Sequence, residues 1–311
     1  MLLEFHRELL ADTIRTDAYR SAIRSVVSPG SVVLDLGTGT GILAFFACEA
    51  GARRVFAIEE SDSAGATSML VRHVGFSDRV EIIHARSTEV DLPERADVLV
   101  TETLGSLGFD EHILSSVIDA RARLLVPDAA IIPRHLALSL APVETTSLYA
   151  GQVAWWDETR YGFDLGPMRA LASNRLCVAD ADPAGFLAPP ATLIDIDLAS
   201  ASSSIVSGTT RFDVTRGGAL HGFVAWFTAT LIPGVTLSND TAGRTHWAQV
   251  FLPLARPVDM RAGDRIDLAL KSFDGDVWEW GGVIESSGRT TPFLQSTVFG
   301  APPNPAGLSS R

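Results

Sequence analysis

The sequence predicts an α/β protein in two parts, a parallel-sheet domain followed by an antiparallel β domain. Three observations predict it. From about residue 20 to 133 short apolar runs alternate with helix-like segments. After "IIPR" the apolar pattern switches to a period of two. Between the first apolar run and the first helical one lies the glycine-rich turn "LGTGTG". Strand–helix alternation with short loops builds parallel βαβ units, whereas period-two runs broken by Gly, Pro, Asn and Asp build antiparallel strands.

In the first part "SVVLDLG", "RVFAIEE", "RVEIIHA" and "ADVLVTE" read as strands, and "GILAFFACEAGA", "SAGATSMLVRHVG" and "DEHILSSVIDARARLL" as helices. In the second, "HLALSLAPVE", "ATLIDIDLA", "TRFDVTR", "LHGFVAWFTATLI", "HWAQVFLPL" and "DRIDLALKSF" read as strands of a barrel or sandwich. The segment "YAGQVAWWDETRYGFDLGPMRALASNRL" between the first two of these is aromatic and poor in strand signals. A connection that long marks a functional or interaction element. The predicted domains are therefore 1–133 and 134–311, with the aromatic arm at about 150–180. The tail "GAPPNPAGLSSR" is expected to fray.

Composition narrows the function classes. The 311 residues are 46% hydrophobic and 20% charged, the balance of a globular chain. A net charge of −12 with no basic stripe argues against nucleic acid and gives a weak bias toward cationic ligands. No apolar run approaches the ~18–20 residues of a membrane span, and the charged start lacks a signal-peptide core, so the expected location is cytoplasmic. Cys48 and Cys177 form no metal-ligand pattern and read as reduced thiols; no metal is expected. The basic residues are 24 Arg and one Lys, a bias that points to a GC-rich bacterial genome.

The turn carries the first chemistry. Gly37, Gly39 and Gly41 allow a tight backbone turn close to a ligand, although on this stretch alone a plain βα connection reads as well. The spacing is G-x-G-x-G, unlike the G-x-G-x-x-G of dinucleotide sites. Glu59, 22 residues beyond Gly37 at the end of the second strand, is placed to accept both hydroxyls of a ribose. Asp35 precedes the turn and can orient it, and the third strand leads to Ser87, Thr88 and Glu89, near where an adenine would lie. The assembly resembles the Class I S-adenosylmethionine-dependent methyltransferases.

Four motifs in order sharpen the resemblance. "VLDLGTGTGILAFFACEAGARRVFAIE", "TETLGSLGFDEHIL", "THWAQVFLPL" and "LLADTIRTDAYRSAI" are similar to the first motif, the double-glutamate loop, the Thr-His-Trp loop and the N-terminal segment of the protein arginine methyltransferases. "WWDETRYGFDL" resembles that family's dimerisation arm, so the similarity covers nearly the whole chain. It implies a Rossmann-like methyltransferase domain, an antiparallel β-barrel domain with a dimerisation arm, S-adenosylmethionine as cofactor (S-adenosylhomocysteine as product) and a homodimer.

It also assigns roles. Glu102 and Glu111, nine positions apart, become the clamp on a guanidinium, whose planar N–H fork suits two carboxylates. Charge held toward the gripped nitrogens leaves the free nitrogen more nucleophilic. His246 pairs with Asp12 and relays the product proton, and Trp247 walls the arginine pocket. Arg15 meets the cofactor's carboxylate, His6 lies near it, and Gly37 and Glu59 serve the sugar side. Thr88 stands where the family has Glu against adenine, with Glu89 next door as the substitute. The chain departs from the family at Thr103-Leu104, where Trp-Met is usual, and at Leu9, where Met is usual. These departures, the absence of a substrate-recruiting tail and the bacterial-looking composition tilt the expected substrate slightly toward free L-arginine or a small guanidino metabolite. Arg244 or Arg160 would then meet the α-carboxylate, with His112 hydrogen-bonding nearby. A protein arginine is the alternative, and an inactive cofactor-binding scaffold is the alternative from another class.

Overall fold

In a computed structural model, residues 3–240 and 245–300 are described. The chain begins with helices α1 (Leu3–Ala11) and α2 (Thr13–Val26). It then alternates β1 (Val32–Leu36), α3 (Ile42–Glu49), β2 (Arg54–Glu59), α4 (Ser63–His73), β3 (Val80–His84), β4 (Ala96–Thr101), α5 (Ile113–Arg123) and β5 (Leu125–Ile132). These five strands form one parallel sheet in the order β3-β2-β1-β4-β5. The sheet reverses direction of growth between β1 and β4, and in such sheets ligands bind at the carboxyl ends of the strands at that switch. All five residues of β1 are buried, as a central strand covered on both faces requires. Leu34, Phe56 and Leu99 from neighbouring strands are fully enclosed, with Tyr19 and Ile23 of α2.

The next stretch is β6 (His135–Val143), α6 (Thr146–Gln152), β7 (Thr159–Arg160), β8 (Phe163–Asp164), α7 (Met168–Ala172) and β9 (Cys177–Ala179). It continues with β10 (Ala191–Asp197), β11 (Ile205–Asp213), β12 (Gly218–Ile232), β13 (Val235–Ser238) and β14 (Gln249–Met260). The last elements are β15 (Arg265–Phe273), β16 (Val277–Ser286), β17 (Arg289–Ser296) and α8 (Thr297–Gly300). One sheet runs β10-β6-β12-β14-β9 with β13 paired to β12; another, antiparallel, runs β11-β15-β16-β17; β7 and β8 form a small hairpin of their own.

Two compact units result. The first takes Met1–Leu138, Asp195–Ser204 and Phe227–Trp247; the second takes Ser139–Ile194, Ile205–Trp226 and Ala248–Arg311. The boundary expected at 133/134 thus lies just before the chain leaves the first unit, inside β6, and two later segments return to it. The return of Phe227–Trp247 has a local cause: the end of β12 folds back on β13, and Asn239 accepts from the Phe227 amide (2.8 Å) while donating to the Ser106 carbonyl (2.8 Å). In the second unit Trp278 and Trp280 are fully buried, their indole N–H groups satisfied by the carbonyls of Gly275 and Pro253. The aromatic arm carries Trp155 and Trp156 edge to face (4.8 Å) and leaves Tyr161 99% and Phe163 69% exposed. The expected fraying of the tail falls on residues 301–311, outside the described residues.

Candidate active site

The carboxyl ends of β1, β2 and β4 open into a cavity of about 910 Å³, all of whose lining residues belong to the first unit. At β1 the amides of Gly37 and Thr38 donate to the Ile58 carbonyl (3.0 and 3.1 Å), so the glycine turn is tied to β2. Gly37 (φ +69°) and Gly39 (φ +54°) hold conformations that side chains resist, and a Cβ on Gly37 would stand 2.8 Å from the Thr103 methyl. Gly41 caps α3 in the same left-handed region and does not line the cavity. Asp35 supports the turn from behind: its carboxylate accepts from the Thr38 hydroxyl (2.6 Å) and the Ala44 amide (3.1 Å). Burial nevertheless pushes it up to about 7.

Glu59 ends β2 and lines the cavity, each oxygen accepting one amide, from Gly39 (2.9 Å) and Ser61 (2.9 Å). A carboxylate has capacity for further donors, so the pre-aligned group can still receive hydroxyls. Ser87 and Thr88 line the cavity from a short 3-10 turn, Ser87–Glu89, and Arg86 precedes them; Glu89 is on the turn but outside the lining. Arg123 of α5 pins this turn through the carbonyls of Ser87 (3.0 Å) and Val90 (2.7 Å).

From the N-terminal side, His6 of α1 lines the cavity, bonded to the Ser63 hydroxyl (3.2 Å). Asp12 caps α2, accepting from the Arg15 amide (2.9 Å). The same carboxylate accepts from the backbone amide (2.8 Å) and Nδ1 (2.9 Å) of His246. Burial raises Asp12, but these hydrogen bonds outweigh it and hold the acid below its usual range. Burial likewise keeps His246 below its ordinary value despite Asp12. The pair is therefore a neutral imidazole on a carboxylate, with Nε2 as the basic nitrogen. His246 lines the cavity; Asp12 stands behind it. Trp247 is buried in the wall, 4.2 Å from the His246 ring and edge to face with Phe227 (5.0 Å).

The double-glutamate loop closes the cavity. Glu102 follows β4, and Leu104, Leu107 and Phe109 bury themselves to anchor the loop. Gly105 and Gly108 take positive φ, and Asp110 accepts from the Leu107 amide (2.7 Å). Glu102 and Glu111 both line the cavity. Burial lifts Glu102 to about 7 although Arg15 opposes the shift; burial first, and Asp110 second, lift Glu111 at the more accessible mouth. Arg15 itself donates to Glu102 through Nη1 and to the Leu9 carbonyl (2.9 Å) through Nη2, while its buried Nε has no partner among the described residues. Sequence reasoning did not single out Thr38, Ser63, Arg86 or Asp110: Thr38 and Asp110 are short polar side chains in loops with no periodic signal, and Ser63 and Arg86 are legible only once α4 and the turn after β3 are placed.

Comparison with known proteins agrees with this geometry. Residues 136–278 match the arginine methyltransferase oligomerization subdomain, and residues 16–133 match the ribosomal protein L11 methyltransferase family. The chain is 32% identical over 294 residues to human protein arginine N-methyltransferase 2, covering 89% of this chain and 68% of that protein. It is 33% identical over 296 residues to protein arginine N-methyltransferase 6 of Xenopus laevis, covering 88% and 85%. The chain belongs to the protein arginine methyltransferase family.

Within that family it has the Class I S-adenosylmethionine-dependent architecture. Solved structures with the same fold include the Trypanosoma brucei enzyme–prozyme complex with AdoHcy (TM-score 0.85, 26% identity, 94% of this chain and 96% of that one). Arabidopsis thaliana protein arginine methyltransferase 10 also matches (TM-score 0.80, 26% identity, 95% and 98%). The chain spans 62% of the length of the mouse protein 2. The cavity fits the family's cofactor: a glycine turn and a pre-aligned carboxylate for the ribose, and a buried guanidinium with a spare N–H for a carboxylate.

Proposed function

We propose that this protein transfers a methyl group from S-adenosylmethionine to a guanidino nitrogen of protein-borne arginine. One observation carries the reading: Glu102 and Glu111 line the same cavity as the glycine turn and Glu59. The bound cofactor supplies an electrophilic sulfonium methyl. Gly37, Gly39 and Glu59 would hold its sugar, Arg15 its carboxylate and Thr88 the adenine side. Glu102 and Glu111 grip the guanidinium and draw its positive charge toward themselves, so that the remaining nitrogen attacks; the clamp's geometry selects Arg over Lys. Trp247 offers a ring face to the cation. His246, neutral and oriented by Asp12, accepts the proton that the methylated nitrogen sheds.

The substrate reading moves from free arginine to peptide arginine. The relatives with which the chain aligns are named for protein arginine. Of the groups considered for a free α-carboxylate, Arg244 lies outside the described residues. Arg160 is engaged by Glu158 (2.7 Å) and the Trp155 ring (4.0 Å) in the second unit. His112 alone lines the cavity. Comparing kcat/KM for an Arg-containing peptide with that for free L-arginine tests this: the peptide is expected to be faster by at least about 100-fold. Equal rates, or a preference for the free amino acid, would restore the metabolite reading, and no transfer to either would favour a silent scaffold. We also infer a homodimer through the arm, since Tyr161 and Phe163 present apolar area otherwise left to water. Deleting residues 152–168 is expected to give monomers with little activity, and a wild-type mass of one subunit at micromolar concentration would contradict it.

A further inference from the structure

A buried phenol lies directly behind the clamp. Tyr19 of α2 is fully enclosed, and its hydroxyl donates to the backbone carbonyl of Thr101 (3.0 Å), the residue before Glu102. The sheet cannot satisfy that carbonyl from the β5 side. The β4–β5 register ends at Val100 opposite Ile132. The next residue is Pro133, which has no N–H, and the amide after it, Arg134, donates to Thr230 (2.7 Å). A buried carbonyl at a strand end needs a donor, and the phenol is the one supplied.

The side chain of the same residue is fixed as well, since Thr101 Oγ1 donates to the Leu36 carbonyl (3.0 Å). Arg15 stands one helical turn before Tyr19 on α2 and holds the Glu102 carboxylate itself. One face of one helix thus grips both the backbone and the side chain at the root of the clamp.

We propose that Tyr19 is a positioning residue: its hydroxyl fixes the end of β4 and so sets where Glu102 stands toward Arg15 and the substrate. The proposal rests on the reading of Glu102 as an arm of the guanidinium clamp. Burial first, and the nearby Glu102 charge second, hold the phenol well above its ordinary value, so it stays a donor. With the hydroxyl gone, the strand end relaxes, Glu102 drifts from Arg15, and the acid becomes harder to ionise.

Tyr19→Phe tests this, with turnover and amide exchange read on the same protein. The expected result is a fall in kcat of about tenfold or more on an Arg peptide, with S-adenosylhomocysteine affinity kept within about threefold. The acid limb of the kcat/KM profile moves up by roughly half a pH unit or more, because Glu102 loses its cationic partner. Amide exchange speeds up in residues 101–111 and stays unchanged in β1 to β3. A variant with wild-type kcat and pH profile overturns the proposal. So does activity lost only in proportion to the unfolded fraction with exchange raised uniformly, or a chain that fails to fold even with S-adenosylhomocysteine present. If the wild-type protein methylates no arginine peptide, the functional reading fails, while exchange confined to 101–111 still decides the role of the hydroxyl.

Discussion

Two sets of acids behave in opposite ways: arginine-paired acids at the surface of the second unit, and the buried Glu102 and Asp35 of the first. In the second unit Asp267 lies beside Arg211 (2.6 Å) and Glu144 beside Arg216 (2.8 Å), at the surface, and in each case the hydrogen bond from arginine holds the carboxyl below its usual range. In the first unit Glu102 also has an arginine, yet burial wins and its carboxyl rises to about 7. Asp35, behind the glycine turn, rises as far. Exposed pairs of the first kind add little to stability, whereas a desolvated carboxylate costs the fold. The difference separates acids that sit at the fold's surface from acids kept buried at a cost, Asp35 holding the glycine turn and Glu102 facing the cavity.

The largest effect should come from the accessible arm of the clamp. Glu111→Gln is expected to lower kcat/KM by about 10²–10³-fold, the scale for removing one pre-organised electrostatic contact, with thermal stability kept. Retention of full turnover would make Glu111 a surface acid like Asp267.

The pH dependence of stability sharpens the contrast next. Glu102 has a folded value near 7, above its unfolded value of 4.5, so its stabilising contribution is present below about pH 4.5 and is lost as pH rises through about 7. Glu102→Gln escapes that loss. Its stability relative to wild type should therefore improve by about 3 kcal/mol between roughly pH 5 and 8 in denaturant titrations of ligand-free protein. A constant difference would mean that the acid is not desolvated.

Glu59→Ala should weaken S-adenosylhomocysteine binding by about 1.5–3 kcal/mol, read by calorimetry, because charge-assisted bonds to the ribose are lost. Unchanged affinity would move the sugar elsewhere. The smallest effect is expected in the second unit, where Arg211→Ala should shift Tm by no more than about 2 °C. A larger drop would end the distinction between the two sets of acids.

Much of this site is legible in the sequence because it depends on local order along the chain. The glycine turn, Glu59 at the end of the next strand and the paired glutamates after the fourth each follow a readable strand. What escapes the sequence depends on contacts between distant segments. β5 is interrupted by Pro127 and Asp128 and does not read as a strand, and β16 has its alternation broken by Gly281 and Gly282. The return of Phe227–Trp247 to the first unit rests on Asn239, a residue whose chemistry gives no hint of partners at Phe227 and Ser106. Tyr19 reads as an ordinary core aromatic, since nothing in the sequence reveals which carbonyl its hydroxyl meets. Arg15 lines the cavity, and its pairing with Glu102 is visible only in three dimensions.

Glu102, buried beside Arg15 at the cavity, is proposed as the inner arm of the substrate clamp, and a single comparison decides that role. Methyl transfer from S-adenosylmethionine to an Arg peptide should be measured for wild type and Glu102→Gln at about pH 8, where Glu102 is ionised, alongside S-adenosylhomocysteine affinity. A loss of turnover of roughly 10²–10³-fold is expected, with cofactor affinity kept within about threefold. Near wild-type turnover in Glu102→Gln, or a loss explained wholly by weaker cofactor binding, would contradict it.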